Sequence, residues 1–567
     1  MKTLSSLLRF IVLAARPTSH ASIAAKVTRP DCPRPEEVRF EPPHVGCYGL
    51  KALLCAVLTF GSICFVRSSE VQSPTARGVV FNDRNGNGVR DRGEDGIGGV
   101  LVSNQREVVT TDRRGQWELP ADDDTIFFVI KPEGWMTPLN HHNLPQFHYV
   151  HKPGGSPLLR FAGVAPTGPL PDSIDFPLHR QREPKLFRAV FFGDPQPRDQ
   201  QEIDYIARDV VEELIGTDAK FGVTLGDILF DDLSLFEANN ALIGLIGIPW
   251  YNVIGNHDLN FDVATDRDSD ETYHHHYGPN YYAYEYGPVV FVALDNIHWG
   301  GAKPEGSGTY TSLLGGEQIA FVRNLLSHVP REKLLLFMMH IPLYGTADRE
   351  ELFRLIEDRP YTMSISGHTH WHAHRFLGEA EGWRGKEPHH HVVNVTVSGS
   401  WWAGEPDETG IPHTMMRDGA PNGYTFLNFD RQKVVVDYKV ARRPADYQMN
   451  VLAPEEVTAA EAPDHFVHVN VFNGSEKSKV LMRIGRDGDW LPLAKIDEED
   501  PYFLKLKQHE KNRPELLGRA LPEPMKSHHL WKTALPAGLP AGEHLISVQT
   551  EDMYGRVFHA SRSLRVK

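Results

Sequence analysis

The sequence predicts an α/β domain with an all-β module on each side, and three observations predict it. Between Leu186 and about Arg442, hydrophobic strand-like runs alternate with helical periods. From about Ala76 to Leu178, short runs such as RGVVF, GVLVS and TIFFVIKP alternate with Gly, Asn and Asp clusters, the spacing of a small β-sandwich. After ARRPADYQMNVLAPEE, strand-like runs return as FVHVNVF, KVLMRIG and HLISVQTED. The expected domains are therefore 76–180, 186–442 and 451–567, preceded by a presequence region over 1–70.

In chain order, the first module opens on RGVVF and leads into DRNGNGVRDRGE, Asp83 to Glu94. That stretch has the oxygen-ligand spacing of an EF-hand loop, with Asp83, Asn85, Asn87, Asp91 and Glu94 as candidate calcium ligands and glycine at Gly88. Its flanks read as strands, so a helix-loop-helix is not expected. It resembles the calcium loops of bacterial surface β-sandwich repeats, against an Asn/Gly turn of accidental spacing. The polar HRQREPK serves as a linker. FRAVFFGD is then a strand, and DQQEIDYIARDVVEELIG a helix with Ile203, Ile206, Val210, Val211 and Leu214 on one face and a capping box from Asp199 and Glu202. KFGVTLGD, WYNVIGNHD, VVFVALD, KLLLFMMH and YTMSISGHTH are further strands; EQIAFVRNLL and REELFRLIED are helices. No catalytic role is expected of the C-terminal module.

The 567 residues suffice for roughly three or four domains at about 150 residues each. A net charge of −15 gives no drive toward a phosphate backbone, which argues against general nucleic-acid binding. No protein partner can be inferred. All four cysteines, Cys32, Cys47, Cys55 and Cys64, precede residue 65, so disulfides, cysteine-rich zinc sites and a cysteine nucleophile are excluded from the folded body. The uncharged run Ala52 to Val66 is short of the roughly 20 residues of a spanning helix and reads as a secretory signal core. It implies export to the periplasm or beyond, with a single membrane anchor as the alternative. The acid-free segment Met1 to Pro30 ahead of it is either transit-like or the product of a start codon assigned too early.

Chemistry concentrates where strands of the α/β domain end. FFGDPQ offers Asp194 and Gln196, VTLGD offers Asp227, VIGNHD offers Asn256 and His257, FMMH offers His340, and SGHTH offers His368 and His370. Ligand sites in open α/β sheets form at such strand ends. A buried polar group without a partner costs about 1–3 kcal/mol, so polar clusters abutting apolar strands need something to bind. Taken singly, a GD is a turn and an MMH a histidine satisfied by backbone; jointly they point to a metal site of carboxylate, amide and imidazole.

These segments, in this order, resemble the calcineurin-like metallophosphoesterases, whose pattern is D-x-H, GD, GNH[DE], H and GHxH. The resemblance covers roughly Leu186 to Arg442 and extends to a subgroup with added N- and C-terminal modules. It implies a four-layer α/β/β/α sandwich and a binuclear centre. Asp194, Gln196, Asp227 and His370 would hold one metal; Asp227, Asn256, His340 and His368 would hold the other, with Asp227 shared. One departure is Gln196, where the family pattern has histidine; a neutral carbonyl ligand loosens the first site or favours a harder ion. Mn, Fe, Zn and Ni all suit the donor set. The implied activity is phosphoester hydrolysis by a metal-bridging hydroxide. His257 would donate a proton to the leaving group, and Asp258 would orient its ring.

Two further features remain open at the level of sequence. Trp401 and Trp402 either line the substrate entrance or pack in the interior. The triplets His274–His276 and His389–His391 read as solvated or pocket-rim loops. The reading is an exported two-metal phosphoesterase of unknown substrate; its rival is an inactive surface-binding protein on the same scaffold, with Gln196 as its best support.

Overall fold

The computed structural model describes residues 74–302, 308–412 and 414–567. The candidate signal core Ala52 to Val66 and all four cysteines lie outside the described residues. Among the described residues no helix is long and apolar enough to cross a membrane.

Two sheets make the centre of the α/β region. The first has five strands in the order Trp250–Val253, Gly222–Leu225, Leu186–Phe192, Gly423–Asp430 and Lys433–Val440; the first three are mutually parallel, and the last two join as an antiparallel hairpin. The second has six strands in the order Tyr282–Tyr286, Val289–Ala293, Leu334–Met338, Thr362–Ser366, His389–Val393 and Ala373–Leu377, parallel through its middle. Period-2 alternation sorts the side chains into layers. Along Leu186–Phe192, Phe187, Ala189 and Phe191 join one core with Phe291, Leu336 and Ile365 of the other sheet. Val190 and Phe192 join a second core with Ile206, Val210, Phe236 and Ile243 of the covering helices. Helices Gly316–His328 and Arg349–Ile356 bring Phe321, Leu325, Leu352 and Ile356 against the second sheet. The result is the helix–sheet–sheet–helix order, with β-rich regions on either side.

The helix after Leu186–Phe192 buries the expected apolar face, Ile203, Ile206, Val210, Val211 and Leu214. It does so through a π-helical turn at Ala207–Val211 between two α-helical pieces. The expected capping box is only half formed. Glu202 N donates to Asp199 Oδ1 at 3.0 Å, but the Glu202 carboxylate accepts from Arg198 N at 2.8 Å instead of turning back on Asp199.

The N-terminal region folds as two four-stranded sheets around Val80, Val102, Trp117, Phe127 and Phe176. Two buried lysines tie it to the α/β region. Lys131 Nζ reaches Glu183 at 2.5 Å and Glu285 O at 2.6 Å, and Lys152 pairs with Asp124 and Glu271. The C-terminal region has sheets of four and five strands around Val467, Val469, Met482, Trp531 and Val548. It also contains a helix the strand-only reading missed, Pro501–Lys511, started by Asp500, whose side chain accepts from Phe503 N, and by a proline in the first turn.

The histidine triplets are not rim loops. His274–His276 lie in the helix Glu271–Tyr277, and His389–His391 lie on a strand, with His389 and His391 buried. Hydroxyls of the neighbouring strand satisfy His389 and His391: Ser364 Oγ lies 2.8 Å from His389 Nε2 and 2.7 Å from His391 Nδ1, and Thr362 Oγ1 lies 3.1 Å from His389 Nδ1. Burial first of all pushes the pKa of His148, His274 and His374 from 6.5 down to about 4 and that of His389 to about 3, so these rings are neutral when folded. In the unfolded chain they bind protons below about 6.5, so the unfolded state takes up more protons as pH falls. The stability they contribute is fully present above about pH 6.5 and is lost as pH falls toward 4. The melting temperature is therefore expected to fall continuously between pH 6.5 and 4 in a thermal-unfolding series; a flat profile over that window would contradict the neutral burial of these rings.

Candidate metal centre

The strand ends of both sheets deliver the polar groups to one place. Asp194 and Gln196 follow strand Leu186–Phe192, Asp227 follows Gly222–Leu225, and Asn256 and His257 follow Trp250–Val253. His340 follows Leu334–Met338, and His368 and His370 follow Thr362–Ser366. The chain turns sharply at these points. Asp194, Gln196, Asp227, His368 and His370 all have positive φ, between 41° and 75°. Non-glycine residues there cost about 1–3 kcal/mol each and persist where the surroundings over-determine them.

Asp227 lies at the middle of the arrangement. Its Oδ1 accepts from His257 N at 2.9 Å and lies 3.2 Å from His340 Nε2; its Oδ2 accepts from Gln196 Nε2 at 2.5 Å. On one side, His340 Nε2 lies 3.1 Å from Asn256 Oδ1 and 3.1 Å from His368 Nδ1. The ligand atoms of Asp227, His340 and His368 fall within 4.8 Å of one another. On the other side, His370 Nε2 lies 3.7 Å from Asp194 Oδ1, and Asp194 accepts from His368 N through both oxygens. The structure thus gathers all seven residues with metal-ligand chemistry in one buried cluster.

Several features show that this donor set fits cations. Gln196 Oε1 is buried with no hydrogen-bond partner. The Nδ1 of His340 is occupied by Leu225 O at 2.8 Å and that of His370 by Gly399 O, which fixes each ring and leaves Nε2 as the nitrogen facing the cluster. Burial and mutual charge set the protonation of the group. Burial, with the neighbouring Asp227 charge, lifts the Asp194 pKa to about 7. Burial also opposes ionisation of Asp227, but His340 and His257 outweigh it and hold that carboxyl below its ordinary range. His340, despite burial, is raised to about 9 by Asp227, whereas burial takes His368 and His370 down to about 3. Neutral imidazoles and ionised carboxylates are the forms that bind metal.

His257 is held differently from the sequence expectation. Asp258 does not orient its ring. The Asp258 carboxylate accepts from three backbone amides, Gly255 N at 2.8 Å, Ile228 N at 3.2 Å and Leu229 N at 3.1 Å, and so locks the Asn256–Asp258 turn to the segment after Asp227. The ring partner is Asp231, whose Oδ1 lies 2.5 Å from His257 Nδ1. Phe230 stacks on the imidazole at 4.3 Å, and the Arg198 guanidinium covers the Phe230 ring at 3.8 Å. Sequence reasoning missed Asp231, because a DD pair five residues after a glycine looks like an ordinary turn; its φ of 64° and its reach to His257 are properties of the folded loop.

The two tryptophans divide between the two readings left open. Trp402 is buried and donates from Nε1 to Pro195 O at 3.0 Å, bracing the Asp194–Gln196 turn. Trp401 is half-buried, with its ring 4.0 Å from that of His370. Arg198 and Arg519 both donate to Trp401 O, at 3.1 and 3.0 Å, and Arg519 also pairs with Glu202. The C-terminal region therefore reaches the rim of the centre. In the N-terminal loop, Asp83 accepts from Gly86 N and Gly88 N, Glu94 accepts from Arg84 N and Asp91 N, and Asp91 accepts from Asn85 and Asn87. All five candidate calcium ligands thus share one hydrogen-bonded loop between strands.

Comparison with known proteins identifies the class. A model described as calcineurin-like phosphoesterase matches residues 187–372; models for the N terminal and the C terminal of calcineurin-like phosphoesterase match 84–161 and 391–558. The three models place the chain in the class of metal-dependent phosphoesterases. The chain belongs to the calcineurin-like phosphoesterase family, in the form that carries both terminal regions. No curated protein sequence matches it. Among solved structures, the purple acid phosphatase PPD1 from seeds of yellow lupin (Lupinus luteus) is similar at 14% identity and a TM-score of 0.33, over 60% of this chain and 66% of that one. A superoxide reductase from Ignicoccus hospitalis matches at 15% identity and a TM-score of 0.12, over 21% of this chain and 81% of that one. Membership of the family rests on the three family models.

Close backbone approach makes two glycines necessary to the centre. A Cβ on Gly255 would lie 1.9 Å from Asp227 N and 2.4 Å from its Oδ1, and one on Gly226, at φ 84°, would lie 2.5 Å from His340 Nδ1. Gly255→Ala is expected to lower bound transition metal by more than half in elemental analysis while far-UV circular dichroism stays native-like. Full metal content in that variant would contradict the packing described here.

Proposed function

We propose that the chain hydrolyses phosphoesters at a two-metal centre, with His257 as the general acid. Asp194, Gln196, Asp227 and His370 would hold one cation and Asp227, Asn256, His340 and His368 the other. The observation that carries this reading is the convergence of the ligand atoms of Asp227, His340 and His368 within 4.8 Å, beside the unpartnered Oε1 of Gln196. Bound divalent cations at such a centre supply Lewis acidity toward phosphoryl oxygens and a more acidic water. Mn, Fe, Zn and Ni all fit the donors.

The chain's own contribution is to place and charge His257. Burial disfavours the imidazolium, but Asp227 and then Asp231 outweigh it and raise the His257 pKa. With Nδ1 engaged by Asp231, Nε2 is the nitrogen left to carry a proton to a leaving-group oxygen. Phe230 fixes the ring plane, and the side chain keeps 23% of its surface exposed, enough to meet a substrate. Monoesters, diesters and pyrophosphates all suit this arrangement. The apolar run Ala52 to Val66 supports an exported enzyme acting on extracellular phosphoesters, and the shared loop of Asp83, Asn85, Asn87, Asp91 and Glu94 supports a structural calcium ion.

Turnover of a p-nitrophenyl phosphoester by the metal-loaded protein tests the reading. Asp227→Asn is expected to abolish metal-dependent turnover. His257→Ala should lower kcat by about 10²- to 10⁴-fold with the metal content unchanged. Asp231→Asn should lower it by a smaller factor, again without metal loss. Undiminished turnover in Asp227→Asn and His257→Ala would overturn the mechanism, and absence of metal-dependent turnover in the wild type would leave the inactive-scaffold alternative.

A further inference from the structure

A second cluster of metal-ligand groups lies outside the centre. The ligand atoms of His141, His142 and Glu237 fall within 4.8 Å of one another. His142 Nε2 is 2.8 Å from Glu237 Oε1, His141 Nε2 is 3.6 Å from the same oxygen, and the two ring centroids are 3.8 Å apart. The histidines belong to a turn of the N-terminal region, and Glu237 to the helix Phe236–Gly244 of the α/β region.

The backbone around this cluster is fixed by contacts that owe nothing to the cluster itself. Asn140 Oδ1 accepts from His142 N at 2.9 Å and from Leu144 N at 3.0 Å, which closes the turn. Asn143 Nδ2 donates to Gly244 O at 2.9 Å, and Trp250 N donates to Asn143 O at 3.1 Å. A Cβ on Gly244 would sit 3.2 Å from His142 Cα, so the missing side chain lets the turn lie directly on the helix. Glu237 and Gly244 are seven residues apart and therefore share one helix face. Gly244 seats the backbone of the turn, and Glu237 meets its imidazoles two helical turns away.

We propose that His141, His142 and Glu237 bind a divalent transition metal, zinc fitting best, that clips the N-terminal region to the α/β region. Two imidazoles and one carboxylate without a thiolate are zinc-type donors, and three protein ligands leave one coordination position for water. The His142 hydrogen bond, aided by the charges of both histidines, holds the Glu237 carboxyl below its ordinary range and keeps it ionised. The His142 side chain is 12% exposed and anchors the site, while those of His141 and Glu237, at 74% and 67%, leave it open to an ion from solvent.

The test uses the full protein with its catalytic metals already loaded. Zn²⁺ is titrated calorimetrically, and the melting temperature is recorded with and without Zn²⁺. The wild type is expected to take up one further zinc per chain and to melt higher with it. In His142→Ala and in Glu237→Gln, zinc affinity should fall by at least about tenfold and the thermal gain should vanish, with phosphoester turnover unchanged. Asp227→Asn should keep the extra zinc, which separates this site from the catalytic centre. Equal zinc uptake and an equal thermal gain in wild type, His142→Ala and Glu237→Gln would overturn the proposal.

Discussion

The structure depends on keeping Asp227 ionised in a place where water cannot solvate it. Its carboxylate is buried, and it meets the His257 amide, His340 Nε2 and Gln196 Nε2 at once. Burying a lone charge is expensive, and the expense is offset only where partners converge. Everything nearby serves that convergence: two sheets whose strands end on the same edge, left-handed turns that swing five polar side chains back toward one point, and glycines that admit close backbone contact. The strain in those turns is tolerable because both sheets are packed on both faces.

The fold was legible where local pattern carries the signal. Buried parallel strands such as Leu334–Met338 read as continuous apolar runs, and the face of Ile203, Ile206, Val210, Val211 and Leu214 read as helix. The polar residues at strand ends were legible because carboxylates, amides and imidazoles rarely follow apolar runs without cause. What stayed hidden depends on which side chain reaches which across the chain. Asp258 follows His257 directly and so looked like its partner, yet the turn points it at amides while Asp231 takes the ring. The triplet His389–His391 looked solvated because imidazoles are polar, and only the strand pairing reveals the serine and threonine hydroxyls that satisfy His389 and His391. The Pro501–Lys511 helix carried a readable start in Asp500 and Pro501, but the strands around it masked the signal.

The flanking regions are structurally joined to the centre. Arg519, from the C-terminal region, bonds the backbone of Trp401 and the carboxylate of Glu202, which itself accepts from Arg198 N just ahead of the helix following Gln196. From the other end, Lys131 and Lys152 bury their charges against Glu183, Glu285 O, Asp124 and Glu271. Removing one member of such a buried pair leaves a charge without solvent or partner, at a cost of about 3–5 kcal/mol. Arg519 thus joins the C-terminal region to the site rim, and the two lysines join the N-terminal region to the α/β region.

The most direct measurement is anomalous diffraction from crystals grown with manganese. Two peaks about 3.5–4 Å apart with the Asp227 carboxylate between them, one beside Asp194 and His370 and the other beside His340 and His368, is the predicted result. A single peak, or peaks that leave Asp227 out, would contradict the account at its base.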